Sequence, residues 1–453
     1  MRVSPSAANT PLPNQIQAPI VPSISEEEAL SIAQKMDLNS DAQWSATLKK
    51  NMEVEPGRSD KYTVWIVKAL YKAGNTTTVT IDALTGQILS IGEGEPPSMM
   101  DLTSGKAELF QGITGLQMVD SNNGWALKAN TVLRTTDGGI TWGNVTPFEI
   151  LLQSRIVDIS AKFLDSQTAI LAVPDGTGGS ITVYLSNDGG TVWRKSAAVD
   201  KSLRVYPPQR PFITFVDKKT GWILAPYDAA MGSEDSELWQ TTDGGETWKS
   251  IATATYGQHN EAGYPLEGIK TGVAFADWEN GFLTGSTHGD GIWLYASHDG
   301  GHHWEKQAVS VPRGYSADGG AATSYPPKFF GGKEGILSVR FSTDEKRAAI
   351  FFVTQDTGKT WTPTTPLLPD RSIMEDWDFV DAAHGFATDG TNMYVTTDGA
   401  ITWIKHPLKG LDFESIRLHF VSQNIGFAVG KTHVYQTTDG GVNWELIRPD
   451  LNK

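Results

Sequence analysis

Carboxylates recur along this chain at spacings that put catalysis first among the questions. Asp137, Asp188, Asp243, Asp299, Asp356, Asp398 and Asp439 each follow a Ser or Thr by two residues and precede a Trp by five. Those tryptophans are Trp142, Trp193, Trp248, Trp304, Trp361, Trp403 and Trp444. The same carboxylate placed in every repeat cannot build one asymmetric site, so its chemistry must be local. An Asp side chain accepts hydrogen bonds from amides ahead of it and fixes a tight turn. The glycines that follow most copies tolerate positive φ without a Cβ clash. The Ser or Thr hydroxyl joins that network, and the Trp fills a wedge between sheets while its indole N–H finds a carbonyl. These residues read as architecture.

Two other constellations could meet a ligand. Tyr227–Glu237, Thr255–Lys270, Thr284–Gly291, Val311–Pro327 and Phe341–Arg347 read as long loops among otherwise short connections. Long loops on a rigid scaffold carry function. They hold Glu234, Asp235 and Glu261 together with Tyr227, Tyr256, Tyr264 and Tyr315. Carboxylates beside aromatics suit sugar hydroxyls and sugar faces, and a carboxylate pair at the right separation does glycosidic acid–base work.

The second constellation is cationic. Arg155, Arg210, Arg371 and Arg417 each fall near the start of a repeat. Guanidinium groups bind a carboxylate, such as a peptide C-terminus, through paired hydrogen bonds. The plainer alternative pairs each Arg with a nearby acid such as Asp370, Glu375 or Glu414. No metal is expected, because His302-His303 falls inside a turn and no calcium-loop pattern occurs. No cofactor is expected either, since the chain has neither a phosphate-cradling Gly-x-x-x-x-Gly-Lys run nor a G-x-S-x-G elbow.

The elements that position these residues follow from the repeat. Successive aspartates lie 51, 55, 56, 57, 42 and 41 residues apart. An apolar strand opens each unit, as in Phe275-Ala276-Asp277 or Phe379-Val380-Asp381. A Gly-aromatic pair then starts a second strand: Gly124-Trp125, Gly221-Trp222, Gly281-Phe282, Gly385-Phe386, Gly426-Phe427. A third strand leads into the Asp turn, and the Trp begins a fourth. Four short strands per unit of ~40–55 residues is a propeller blade. One such sheet cannot bury both faces, so blades must stack around an axis. The fold class is therefore mainly β: a seven-bladed β-propeller with four-stranded blades over residues 107–453. The Asp turns occupy one face of the disc. The long loops and the arginines gather on the other, around the channel mouth.

Residues 23–95 have a different texture and predict a small α+β domain. Ser25-Glu26-Glu27-Glu28 is a capping box, with the Ser hydroxyl and the Glu28 carboxylate each reaching the other's amide. Ala29, Leu30, Ile32, Ala33 and Met36 share one helical face, and Asn39-Ser40 ends the helix. Strands are expected at Trp44–Leu48, Tyr62–Tyr71, Thr77–Ile81 and Gln87–Ile91. Residues 1–22, rich in Pro, Asn, Gln and Ser, read as a disordered tether of the kind that follows a cleavage or lipidation site. Residues 96–106 read as a linker.

Two families are resembled. The Ser/Thr-x-Asp-x-Gly-x-x-Trp hairpin is the Asp-box, or bacterial neuraminidase repeat. With a box in every blade and a Gly-aromatic pair upstream, residues 107–453 look most like the photosystem II stability/assembly factor-like propellers. That resemblance implies a binding or assembly role, with an arginine patch that holds a partner's tail. Sialidases share the repeat, but their Arg-Ile-Pro motif is missing from residues 101–136 and their catalytic set cannot be placed. The run V-T-I-D-A-L-T-G-Q-I-L-S at the end of the small domain resembles the PepSY domain of exported proteins, which implies an extracellular or envelope setting.

Composition bounds the function. The absence of Cys excludes disulfides, thiolate metal sites and a Cys nucleophile. A net charge of −15 without any Lys/Arg run argues against nucleic acid. No stretch approaches ~18 consecutive apolar residues, so no transmembrane segment is expected. The sequence thus predicts an exported or cell-surface binding propeller that recognises a peptide, protein or glycan at the channel mouth. The alternative is a glycoside hydrolase using Glu234, Asp235 or Glu261, and a third reading has the small domain covering that mouth.

Overall fold

In the computed structural model, the residues described are 24–34, 43–52, 62–70, 76–83, 88–93, 113–128, 130–147, 150, 159–174, 180–196, 210–257, 262–286, 291–315, 321–343, 346–371, 374, 376–408, 417–430 and 433–447. The chain divides into two compact units, Met1–Ser104 with Leu451–Lys453, and Gly105–Asp450.

In the smaller unit, α1 (Glu26–Gln34) opens with both arms of the capping box. The Glu28 amide donates to Ser25 Oγ at 3.2 Å, and the Ser25 amide donates to Glu28 Oε2 at 2.7 Å. A meander of β1 (Gln43–Met52), β2 (Tyr62–Leu70), β3 (Thr76–Asp82) and β4 (Ile88–Glu93) pairs in chain order. Ala29 and Ala33 bury against Trp65, Val67, Val79 and Ile81, the helix face and alternate strand residues the pattern requires. The expected helix end at Asn39-Ser40, with Met36, lies outside the described residues.

The larger unit holds seven four-stranded antiparallel blades. Blade one is β5 (Ile113–Met118), β6 (Gly124–Lys128), β7 (Thr131–Thr135) and β8 (Gly143–Asn144). Blade two is β9 (Ser160–Phe163), β10 (Ala169–Pro174), β11 (Ile181–Ser186) and β12 (Arg194–Lys195). Blade three is β13 (Phe212–Phe215), β14 (Gly221–Ala230), β15 (Ser233–Thr241) and β16 (Lys249–Ala254). Blade four is β17 (Ile269–Phe275), β18 (Gly281–Ser286), β19 (Leu294–Ser297) and β20 (Glu305–Lys306). Blade five is β21 (Ala321–Phe330), β22 (Glu334–Ser342), β23 (Arg347–Thr354) and β24 (Thr362–Pro363). Blade six is β25 (Asp376–Phe379), β26 (Gly385–Thr388), β27 (Asn392–Thr396) and β28 (Ile404–Pro407). Blade seven is β29 (Arg417–Phe420), β30 (Gly426–Val429), β31 (Val434–Thr437) and β32 (Glu445–Leu446). Blades four and five also touch edge to edge, where Ser286 pairs with Thr323.

Among the described residues no strand is exchanged to close the ring: the first and last blades each take four strands in chain order. Closure is by packing: Met118 lies among Phe427, Val429, Val434 and Ile447, and His419 Nε2 donates to the Met118 carbonyl at 2.7 Å.

One interlock explains the Gly-aromatic pairs. A Phe at or next to the end of the inner strand pairs across to the glycine: Phe215 with Gly221, Phe275 with Gly281, Phe329 with Gly335, Phe379 with Gly385, Phe420 with Gly426. Its ring lies over the bare glycine, where a Cβ on Gly385 would come within 2.2 Å of the Phe379 ring. The aromatic after the glycine stacks on the corresponding ring of the next blade. Trp222 meets Phe275 at 3.5 Å and 3°, Phe386 meets Phe420 at 3.4 Å and 0°, and Trp125 meets Phe163 at 4.9 Å and 5°. The turn Trp closes the cluster edge-on, as Trp304 does to Phe275 and Trp444 to Phe420.

The Asp turns have the local network their residues imply. In blade seven, Thr437 Oγ1 donates to Asp439 Oδ1 at 2.9 Å and accepts from the Gly441 amide at 2.9 Å. Asp439 also receives the Asn443 amide and its side-chain Nδ2. Gly440 and Gly441 take φ of 72° and 87°, and Thr357 and Ala400 adopt positive φ at equivalent positions. Indole N–H groups of Trp142, Trp248, Trp304 and Trp444 donate to the carbonyl of the second turn glycine.

Gly385 has no positive φ, so alanine strains only its contact with Phe379. Gly385→Ala is expected to cost about 1–3 kcal/mol in urea unfolding. A second change, Phe379→Leu, is expected to recover part of that loss. A neutral Gly385→Ala would contradict the interlock.

Candidate functional site

The inner strands line the channel, and the residue one step before each interlocking position is the key one. These residues are Gln117, Lys162, Thr214, Ala274, Lys328, Asp378 and His419. Around much of the ring they bridge to the next inner strand. Gln117 Nε2 donates to the Phe163 carbonyl at 2.8 Å, and Lys328 Nζ reaches Asp378 Oδ1 at 2.8 Å. Asp378 Oδ2 accepts the Phe420 amide at 2.8 Å, and His419 reaches Met118. Two steps earlier on β25, Asp376 Oδ2 accepts the Leu418 amide at 2.7 Å.

This girdle lapses at Lys162, Thr214 and Ala274. There a cavity of 610 Å³ opens, lined by Lys162, Arg210, Lys328, Gln117 and Thr214 with apolar Leu116, Phe212, Ile213, Val273, Pro326 and Pro327. Its lining carries cations and no carboxylate, although the whole chain has a net charge of −15. Neither Lys162 nor Arg210 has an acidic partner among the described residues. Burial first, and the nearby Lys328 charge second, hold the Lys162 ammonium below the ordinary lysine value.

Of the four arginines of the sequence pattern, the three described ones stand in different settings. Arg210 lines the cavity. Arg417 opens β29, and its charge acts on Asp376. Arg371 is exposed beside Asp370, whose own partner is Lys405 at 2.7 Å. Arg155 lies outside the described residues, as does Glu261.

The candidate carboxylates and tyrosines also divide. Tyr227–Glu237 is a continuous hairpin of β14 and β15 rather than a loop, and Ala321–Pro327 belongs to β21. Glu234 is buried, with Oε2 accepting the Lys270 amide at 2.7 Å, and desolvation raises its pKa. Lys270 Nζ donates to the carbonyls of Glu234 and Leu266 at 2.8 and 3.1 Å. Burial lowers its pKa to about 8 against the opposing pull of Glu234, Asp235 and Glu267. Asp235 Oδ1 accepts the Tyr256 amide at 2.9 Å. Tyr227, Tyr264 and Tyr315 are buried, Tyr264 against Trp304 and Tyr315 against Phe341. Tyr256 is 84% exposed. Among the described residues no group of His, Asp and Glu could hold a metal ion.

Sequence reasoning missed Lys162, Lys328 and Asp376. Each sits in a strand with no motif of its own. The usable signal is register: one or three residues before the Phe that ends or nearly ends each inner strand.

Residues 23–91 match the PepSY family, "Peptidase propeptide and YPEB domain". No curated protein matches the chain. Among solved structures it is similar to YCF48 from Cyanidioschyzon merolae at 18% identity, with a TM-score of 0.48 over 73% of this chain and 94% of that one. A structure of YCF48 bound to D1 peptide is similar at 15% identity and a TM-score of 0.46, again over 73% and 94%. An alpha-L-arabinanase of Penicillium chrysogenum complexed with arabinobiose is similar at 12% identity and a TM-score of 0.42, over 65% and 94%. The class is thus a seven-bladed β-propeller in a chain that also carries a PepSY domain. No helix among the described residues is long and apolar enough to cross a membrane.

Asp376 gives the ring a pH dependence of definite sign. Burial pushes its pKa up to about 6, against the Leu418 amide and the Arg417 charge, with Asp378 adding to the rise. An unfolded Asp titrates near ~3.9. Its contribution is therefore full below ~3.9 and lost as pH rises through about 6. Asp376→Asn, which cannot ionise, is expected to be more stable relative to wild type at about pH 8 than at about pH 4, read by thermal melts. A difference that does not change with pH would contradict this.

Proposed function

We propose that the propeller is a binding module whose channel takes the anionic end of a peptide, a C-terminal carboxylate above all. The observation that carries this is Lys162, a half-buried cation with no acidic partner among the described residues, on a cavity whose lining also holds Arg210 and the Asp378-paired Lys328 but no acid. A buried charge is costly unless paired, so the site favours a ligand that brings the missing carboxylate. The apolar lining of Leu116, Phe212, Ile213, Val273, Pro326 and Pro327 suits a side chain next to that carboxylate. Catalysis is not part of this reading. Glu234 is committed to the Lys270 amide and Asp235 to the Tyr256 amide. The PepSY match supports an extracellular or envelope setting. A tethered, lipid-anchored start and an assembly role for the Asp-box propeller belong to the same proposal.

Fluorescence polarisation with short peptides ending in a free carboxylate, set against the same peptides amidated, tests it. The free acid is expected to bind more tightly, and Lys162→Gln to weaken it about tenfold, the effect of losing a charge-assisted contact of ~1.4 kcal/mol. Added salt should weaken it further where the mouth is wet. Equal affinity for acid and amide, or turnover on a glycoside panel, would overturn the proposal.

A further inference from the structure

The seam between blades two and three lacks the ring that other seams receive from the preceding blade. In blade one Trp125 pairs with Arg134, and in blade three Trp222 pairs with Gln240. Each tryptophan crosses to the next blade and stacks there, on Phe163 or Phe275. Its indole N–H then donates to a turn carbonyl of that blade, Asp165 at 3.1 Å or Gly300 at 2.9 Å. The paired residue completes the filling. Arg134 lies 5.6 Å over the Trp125 ring, and Gln240 Nε2 reaches the Gly300 carbonyl at 3.5 Å.

In blade two the same register sets Ile170 against Leu185. Ile170 packs with Phe215 but is too short to reach the turn beyond. Blade five also has an aliphatic residue there, Ile336, yet its Phe351 lies 5.1 Å from Phe379 and 5.3 Å from Trp403. Phe351 stands opposite Ser338, and the matching position in blade two, opposite Ala172, is Val183. The rings clustered at this seam, Phe215, Tyr227, Trp239 and Trp248, all belong to blade three. Among the described residues blade two contributes none.

A cavity of 670 Å³ stands at this seam. Ile170 and Leu185 line it from blade two, and Gly244, the counterpart of Gly300, lines it from blade three. A Cβ on Gly244 would meet no blade-two atom within 4 Å, whereas one on Gly189 would come within 2.5 Å of the Arg134 guanidinium. Two ion pairs on the lining join the blades, Arg194 to Glu246 at 2.7 Å and Lys218 to Asp165 at 2.6 Å. All four side chains keep solvent contact, so these pairs are weak and can part. The cavity therefore offers aliphatic area for a ring, a carbonyl edge for its N–H and a guanidinium for its face.

We propose that this seam is a binding slot for an indole ring, the tryptophan side chain of a peptide or protein partner, placed as Trp125 and Trp222 are in their own seams. The exposed ion pairs offer donors and acceptors to the backbone that carries the ring, which favours a partner chain over a free indole. The slot is separate from the channel cavity and does not rest on the channel reading.

NMR titration of the full chain, methyl-labelled at Ile and Leu, tests this. The probes are a short Gly/Ser peptide with one central Trp, the same peptide with 1-methyltryptophan, and N-acetyltryptophanamide. The Trp peptide is expected to bind with NOEs from its ring to the Ile170 and Leu185 methyls. The 1-methyl peptide should bind about tenfold more weakly for want of the N–H donor. Ile170→Trp, which fills the slot from the chain itself, is expected to abolish binding. If that variant does not fold, the wild-type NOEs decide alone. No binding of the Trp peptide, NOEs confined to other methyls, or a folded Ile170→Trp that binds like wild type would overturn the proposal. A peptide that binds no tighter than N-acetyltryptophanamide would overturn the assignment to a partner chain.

Discussion

A four-stranded sheet that is apolar on both faces has no stable existence alone in water, and this molecule answers that constraint with one repeated contact. The inner-strand ring lies over a glycine of its own blade and under an aromatic of the preceding blade. Burial of such rings supplies roughly 2–3 kcal/mol each, and the flat stacking sets the distance between sheets. Everything else is arranged around it. The Asp turns hold the third and fourth strands so that the turn Trp meets this pair edge-on. Blades that lack an aromatic after the glycine position use Ile170 or Ile336, which keep the volume without the stack.

The same constraint creates the channel. Once the apolar positions of the inner strand are committed to neighbouring blades, the positions between them must face the axis. There polar side chains satisfy the backbone of the next strand, because an unpaired buried amide costs about 1–3 kcal/mol. Where small or unpaired residues interrupt that girdle, a cavity remains. Lys162 supplies charge to it, and Thr214 and Ala274 leave the room. The proposed binding site is therefore an omission in a structural pattern.

Legibility followed the range of the interactions. Each Asp turn closes within five residues, so seven of them carry the blade count and the strand order in the sequence itself. The capping box of Ser25 and Glu28 was equally local. The site was less visible. Glu234 reads as a free acid until the structure brings Lys270, thirty-six residues on, against it. Tyr264 and Tyr315 read as loop aromatics because nothing nearby in sequence shows the Trp304 and Phe341 they pack on. Lys162 stands in the plain strand Ser160-Ala161-Lys162-Phe163, and only the register of Phe163 against Ala169 shows which way it faces. Arginines at repeat starts pointed to a cationic mouth, yet of the described ones Arg210 alone lines the cavity.

The central claim is that Lys162 awaits an anion. Lysine-selective 15N NMR, with the Lys162 side-chain resonance assigned through Lys162→Arg, measures its titration directly. Without ligand its pKa should lie below that of the exposed lysines. With a saturating carboxylate peptide it should rise, as a desolvated ammonium does on gaining a partner. A Lys162 that titrates as an exposed lysine in the free protein, or whose titration ignores the peptide, would contradict the account.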